Sequence, residues 1–296
     1  MDLGTLQTYR HSGKFGLHAL LFVPLVGALV GWPLGMAYGY LVKWIPFVYL
    51  NALITVGYGL ALGMATVFAL KKCRVRNSLV AGVLAAVVGF EANYLQWNGH
   101  LHALLDGAPL LVAPAMLREA MAFLYENGSW GLRSGGNVTG AMLGLVWLIE
   151  AGGILGLTLV VATSAIGSTP YCEKSGSWLD DEKKFDTLAA IDDAQERALL
   201  AAGDIAPVIA GRPRAEGATA FTRLTLKHSP RCEDFFTLKA EAVTLSTNKK
   251  GEVEEKTQSL TQDLVLPREM RELVEEFANI TPTPAADAAT AAAPGA

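Results

Sequence analysis

Residues 15–42 read FGLHALLFVPLVGALVGWPLGMAYGYLV, and in this apolar run Gly27, Gly31, Gly35 and Gly39 fall at every fourth position. On an α-helix that spacing puts the glycines in one slowly drifting stripe, a groove where a neighbouring backbone comes close and gains van der Waals contact. The run exceeds the roughly 20 apolar residues needed to cross a hydrocarbon core. It reads as a membrane span packed inside its own bundle through the stripe. The alternative is a self-associating helix that makes a homo-oligomer through the same glycines. Pro24 and Pro33 remove backbone donors and bend the helix, which lipid tolerates where neighbouring helices cover the freed carbonyls. That again argues for an internal position.

Three further apolar runs follow. The expected fold class is a membrane α-helical bundle of four transmembrane helices, spanning about 15–42, 47–70, 78–97 and 138–165, joined to a small, β-rich α+β soluble domain. The second span carries its own pair, Gly59 and Gly63, expected to face the first helix, and Tyr40, Trp44 and Tyr49 suit an interfacial aromatic belt. Between the second and third spans, Lys71-Lys72-Cys73-Arg74-Val75-Arg76-Asn77 holds four cations in seven residues. Short loops this basic stay cytoplasmic. By parity both termini and Cys73 are cytoplasmic, and the loop 98–137 lies outside.

Within that outer loop, Pro114 to Tyr125 places Met116, Leu117, Met121 and Leu124 at helical spacing. This is a short helix lying in the membrane surface or a lid over an opening between helices. His100 and His102 lack a visible third ligand, so no metal site is read there.

An ionisable side chain inside a span costs at least about 2.5 kcal/mol on insertion scales and is seldom there without a partner. Glu150, near the middle of the fourth span, has only apolar and small neighbours in sequence. Its expected role is a neutral carboxyl hydrogen-bonded to another helix, through Asn51, Thr55 or a tyrosine hydroxyl. The other reading is proton or cation passage. Glu91, close to Asn93 and Gln96, reads as near the outer boundary of the third span.

Composition bounds the rest. The chain of 296 residues is 51% hydrophobic and 18% charged, too apolar for an ordinary soluble protein. Up to Thr169 there are 9 Lys and Arg against 6 Asp and Glu, whereas Pro170 to Ile280 holds 15 against 21. A net acidic soluble part argues against nucleic acid as its partner, because phosphate binding needs clustered basic charge. Residues 1–14 form a short cytoplasmic segment, retained because the apolar run after it is too long for a signal-peptide core.

The soluble domain is expected over 170–280. Cys172-Glu-Lys-Ser175 and Ser229-Pro-Arg-Cys232 each look like one knuckle of a zinc ribbon, C-x-x-C with one cysteine replaced by serine. Phe221 to Lys227, Phe235 to Ser246 and Glu252 to Leu266, the last two joined by the turn Asn248 to Gly251, read as strands. Residues 180–202 read as an amphipathic helical insert, and Pro267 to Asn279 as a closing helix using Met270, Leu273, Val274 and Phe277. The Ala/Pro/Thr stretch 281–296 reads as a disordered tail. Serine is a poor zinc ligand, and two thiolates leave a tetrahedron incomplete even with His228 added. The expectation is therefore no metal, no cofactor, and Cys172 meeting Cys232 as free thiols. Three cysteines far apart do not make a secreted disulfide framework.

On the basic 71–77 loop, the Trp147 to Glu150 stretch and the two half-knuckles, the chain resembles uncharacterised bacterial multispanning membrane proteins with a zinc-ribbon-like cytoplasmic tail. The resemblance implies a bacterial inner membrane and no particular activity. No P-loop, G-x-S-x-G or H-E-x-x-H motif is present. Two classes remain. The expectation is a non-catalytic anchor or scaffold in the lipid bilayer, presenting a cytoplasmic domain to a protein partner. The alternative is a small cation- or proton-linked transporter or channel using Glu150.

Overall fold

The computed structural model describes residues 6–45, 47–107, 110, 113–128, 137–209 and 212–278. The stretch 281–296, expected to be disordered, lies outside them. The chain divides into two compact units, Ser12–Ser168 and a second made of Met1–His11 with Thr169–Ala296.

The first unit is helical: α1 Ala19–Trp44, α2 Val48–Lys72, α3 Ser78–Leu104, α4 Pro114–Asn127 and α5 Gly140–Ser168. All but α4 are long and apolar enough to cross a membrane. Their outward faces carry large exposed apolar side chains: Leu21, Leu25 and Leu29 on α1, Leu53 and Phe68 on α2, Val83 and Phe90 on α3, Leu148 and Ile149 on α5. Such faces suit lipid as the surrounding solvent.

Helix α3 runs on past its expected end at Trp97. Its last turns carry Asn98, His100 and His102, which read as polar loop. Instead Asn98 donates back to the Tyr94 carbonyl at 3.0 Å, and Lys43 donates to the Ala103 carbonyl at 2.6 Å while pairing with Asp106. These bonds satisfy the Asn98 amide N–H and the end of the helix, so the helix continues, although the Asn98 Oδ1 is buried without a partner among the described residues.

At the end of α2, Arg74 is left-handed (φ 53). Its N–H donates to the Lys71 carbonyl, and that of Val75 to Leu70. This is a Schellman cap, sealed by contact between two fully buried residues, Leu70 and Val75. Asn77 then caps α3, its side chain accepting from the Val80 N–H at 3.0 Å.

The glycine stripe packs on α3, not on α2. A Cβ on Gly27 would lie 2.8 Å from Val88, one on Gly35 would lie 3.0 Å from the Leu95 backbone, and one on Gly39 would overlap the Gly99 carbonyl. The offset is constant, so α1 and α3 run parallel with backbones touching where Gly39 crosses Gly99. The pair Gly59 and Gly63, expected to face the first helix, meets Leu157 and Val161 of α5. In both cases the groove is filled from the same chain by a helix distant in sequence.

The second unit contains a small hairpin, β1 Tyr171–Cys172 with β2 Ser177–Trp178, and a five-stranded antiparallel sheet. The sheet strands are β3 Asp181–Ala189, β4 Ala220–His228, β5 Phe235–Thr247, β6 Val253–Ser259 and β7 Leu264–Pro267, with helices α6 Ala194–Ala201, α7 Ala206–Ile209 and α8 Arg271–Ala278. The order is β3-β4-β5-β6, with β7 pairing the start of the long β5. One sheet face, with Leu224, Leu226, Phe236, Leu238 and Leu266, forms a core with Leu200, Val208 and Val274 of the helices and Ile205 just before α7.

Two expected boundaries are corrected here. Residues 181–189 are a strand, not the front of a helical insert, and only α6 within 180–202 is helical. The stretch Asp-Glu-Lys-Lys-Phe-Asp-Thr-Leu-Ala is rich in helix-favouring charges because it forms an edge strand, where charge keeps other chains from pairing. It is held by pairing with β4, by Leu188, and by Phe185 against the core. The N-terminal segment is not a free arm. Thr8 pairs with Leu264, the Tyr9 N–H donates to the Asp263 carbonyl at 2.7 Å, and the Leu6 N–H donates to Gly203 at 2.9 Å.

Candidate functional site

Two clusters gather the chemistry-bearing residues, one in each unit. In the helical unit, α1 brings Tyr38, α2 brings Thr55, and α5 brings Glu150. The Tyr38 hydroxyl is 3.1 Å from the Thr55 hydroxyl and also hydrogen-bonds Glu150. Thr55 in turn donates to the Asn51 carbonyl at 2.9 Å. Beside it, Tyr58 lies 5.5 Å from Tyr38, centroid to centroid, and its hydroxyl is within reach of both the Gly31 and Ala92 carbonyls. Tyr38 and Tyr58 were not singled out from sequence. The available signal was position, since Tyr38 sits three residues past Gly35 on the glycine face.

Glu91 is corrected. With α3 running from 78 to 104 it sits at the helix midpoint, beside Gly27, and not near an outer boundary. Its Oε2, the Asn93 Oδ1 and the Asn51 Oδ1 are buried without a hydrogen-bond partner among the described residues. Asn93 donates to the Gly89 carbonyl of its own helix and, at 3.4 Å, to Ala151 of α5. It therefore faces α5, whereas Glu91 faces α1, and these oxygens do not converge.

Helix α4 forms where its amphipathic pattern placed it. Leu117 and Leu124 are buried against Trp97, Leu101 and Trp147, while Met116 is exposed. Tyr94, Leu117, Arg118, Met121, Tyr125 and Trp147 line a cleft of about 480 Å³ at this junction. His100 and His102 meet aromatic rings edge to face, Trp97 and Tyr40 respectively.

In the second unit Cys172 and Cys232 meet. Both are buried, with Leu179 and Phe235 packed around them, and their thiols hydrogen-bond each other. The Cys172 sulfur accepts from the backbone amides of Lys174 and Ser175 and from the Ser175 hydroxyl. Gly176 (φ 66) closes that turn with a 2.9 Å bond to the Cys172 carbonyl. The Cys232 sulfur accepts from the amides of Asp234 and Phe235.

This corrects the register of the second half-knuckle. Cys232 opens its turn, as Cys172 does, so the residue opposite Ser175 is Phe235. Ser229 lies in the preceding turn, its carbonyl accepting from the Cys232 N–H at 3.1 Å. His228 contacts the Asp181 carbonyl at 3.1 Å. The donor set around the sulfurs is two thiols, a serine hydroxyl and the Asp234 carboxylate 3.9 Å from Cys172, the carboxylate already held by Lys174 at 2.6 Å. Among the described residues no three His, Cys, Asp or Glu side chains group to hold a metal.

The two thiols differ in electrostatics. Burial pushes Cys172 up, but hydrogen bonds from Cys232, Ser175 and the Ser175 and Lys174 amides outweigh it, and the thiol sits below its ordinary value. Burial and its role as donor to Cys172 hold Cys232 above. The remaining cysteine, Cys73, is buried in the helical unit.

No protein-family model, curated protein or solved structure matches the chain.

Proposed function

We propose that this chain is a non-catalytic, multi-pass protein of a bacterial inner membrane that anchors a cytoplasmic domain and presents it to a protein partner. The observation that carries the reading is the pairing of Thr8 with Leu264. It joins the chain before α1 and the chain after α5 in one folded unit, which requires an even number of crossings and both flanks on one side. The four apolar helices meet that requirement, and the basic 71–77 loop supports the cytoplasm as the side. A face for the partner is offered by β6, a strand at the sheet edge with all seven residues exposed, whose Glu254, Glu255 and Lys256 suit a polar partner surface and not an added strand.

The hydrogen-bond chain at Glu150 supports a structural carboxyl. The Thr55 proton goes to Asn51, so the Tyr38 proton can serve Thr55 only if Glu150 supplies the proton to Tyr38. A neutral Glu150 then donates to Tyr38, Tyr38 to Thr55 and Thr55 to the Asn51 carbonyl. The second reading, cation or proton transport, is favoured by the unpartnered Glu91, Asn93 and Asn51 oxygens in the same bundle.

Cys73 is a poor topology reporter because it is 2% exposed. In a cysteine-free variant carrying either Glu119→Cys on α4 or Lys256→Cys on β6, a membrane-impermeant maleimide should label the first in intact cells and the second only after lysis. Labelling of Lys256→Cys in intact cells overturns the orientation. For presentation against transport, vesicle flux assays decide. A proton or cation flux that Glu150→Gln abolishes, with folding intact, replaces the anchor reading by the transport one.

A further inference from the structure

We propose that Cys172 and Cys232 form a hydroperoxide-oxidised dithiol site, in which Cys172 is attacked first and Cys232 resolves it to an intramolecular disulfide. The geometry supplies each part. Two turns present their sulfurs to each other in hydrogen-bonding contact, although the residues are 60 apart in sequence. Amides directed at each sulfur stabilise the thiolate, the reacting form. The turns are not equivalent. Only Cys172 also receives a side-chain hydroxyl, from Ser175, whereas the Cys232 thiol donates to the Phe235 carbonyl at 3.4 Å, so Cys232 keeps its proton and Cys172 is the sulfur that reacts first. Burial narrows the oxidant: Cys172 is 0% and Cys232 5% exposed, which hinders glutathione disulfide or another protein and leaves a small hydroperoxide, reaching the sulfurs when the turns open, as the oxidant proposed.

The steps balance. The Cys172 sulfur attacks the hydroperoxide, an S–O bond forms as the O–O bond breaks, and the departing alkoxide takes the thiol proton, leaving a sulfenic acid and an alcohol, or water from hydrogen peroxide. The Cys232 sulfur then attacks the Cys172 sulfur, the S–O bond breaks, and water leaves with the Cys232 proton. Two thiols have lost two electrons to one hydroperoxide. Two equivalents of a monothiol reductant reverse the disulfide.

The test uses the full-length protein in detergent with hydrogen peroxide, followed by quenching with N-ethylmaleimide and peptide mass mapping. The expected result is a loss of about 2 Da in a linked Cys172–Cys232 peptide, reversed by dithiothreitol, with Cys73 still alkylated as a thiol once the chain is denatured. In Cys232→Ala the Cys172 sulfenic acid should persist and be trapped by dimedone, whereas Cys232 in Cys172→Ala should react at least about tenfold more slowly. Circular dichroism of each variant establishes that it is folded, and the wild-type arm needs no variant. The proposal is overturned if peroxide leaves both thiols of the folded wild type unjoined. Equal reaction rates in the two variants, or one zinc or copper bound per chain that both cysteines are needed to hold, overturn it as well.

Discussion

In the unit of residues 12–168 the closest contacts occur where side chains are missing, as at Gly39 on Gly99, and the large apolar side chains point outward. In the sheet unit Leu224, Phe236, Leu238 and Leu266 converge inward, and the charged strands β3 and β6 lie at the edges. The difference follows from the solvent each unit suits. Where the surroundings are as apolar as leucine, burying leucine gains little, and helices associate by bringing backbones together. Where the surroundings are water, burying leucine and phenylalanine is the dominant gain.

The comparison predicts opposite sensitivities. Adding atoms should break the first unit, and removing them should break the second. Gly39→Val pushes a branched side chain into the Gly99 carbonyl and should cost on the order of 3 kcal/mol or more. Gly57→Ala, where a Cβ meets nothing within 4 Å, should leave thermal unfolding in detergent unchanged. In the sheet unit Phe236→Ala should cost about 3–5 kcal/mol, while the outward Leu25→Ala should be nearly silent. Equal losses from Gly39→Val and Gly57→Ala would dissolve the contrast.

A smaller effect sharpens it at the one place where the helical unit depends on a polar chain. Glu150→Leu leaves Tyr38 without its partner and should cost about 1–3 kcal/mol, while Glu150→Gln, which retains a donor and an acceptor, should stay close to wild type. Unfolding curves of the two variants check this directly, and equal curves would remove the hydrogen-bond chain from the account.

The smallest effect belongs to the sheet unit, where water-exposed charges contribute. Burial raises Glu275 on α8, but hydrogen bonds from Lys183 of β3 and from Arg271 outweigh it and hold the carboxyl below the ordinary 4.5. A lowered carboxylate contributes stability that is fully present above the unfolded value and is lost as pH falls through the folded one. The protection factors of the α8 amides, corrected for the intrinsic exchange rate at each pH, should therefore fall as pH drops below 4.5, by the equivalent of about 0.5–1 kcal/mol. In Glu275→Gln that acid step should be absent.

Composition and run length made the four long helices legible, because an apolar run of that size has few alternatives. The same letters could not say which helix fills the glycine groove, since a stripe specifies close approach and not the partner. Residues 181–189 misled for the opposite reason. Their charges speak of an edge in water and say little about the backbone. The spacing around Cys232 permits a turn on either side, Ser229 to Cys232 or Cys232 to Phe235, and only the amides aimed at sulfur choose between them. Glu150 was found by chemistry, an acid in an apolar run, while Tyr38 was passed over because tyrosine is ordinary there.

The pairing of Thr8 with Leu264 also has a consequence in time. The first strand leaves the ribosome early, and its partner follows roughly 250 residues later, a wait of tens of seconds at about 5–20 residues per second. On the proposed four-span reading, the edge of residues 6–9 stays open during that wait while the helices would enter the lipid one by one. If one of them fails to enter, the last strand emerges on the far side of the bilayer and the sheet cannot close. Closure of the sheet thus keeps count of the crossings, and a miscounted chain is left with an exposed edge for quality-control proteases to find.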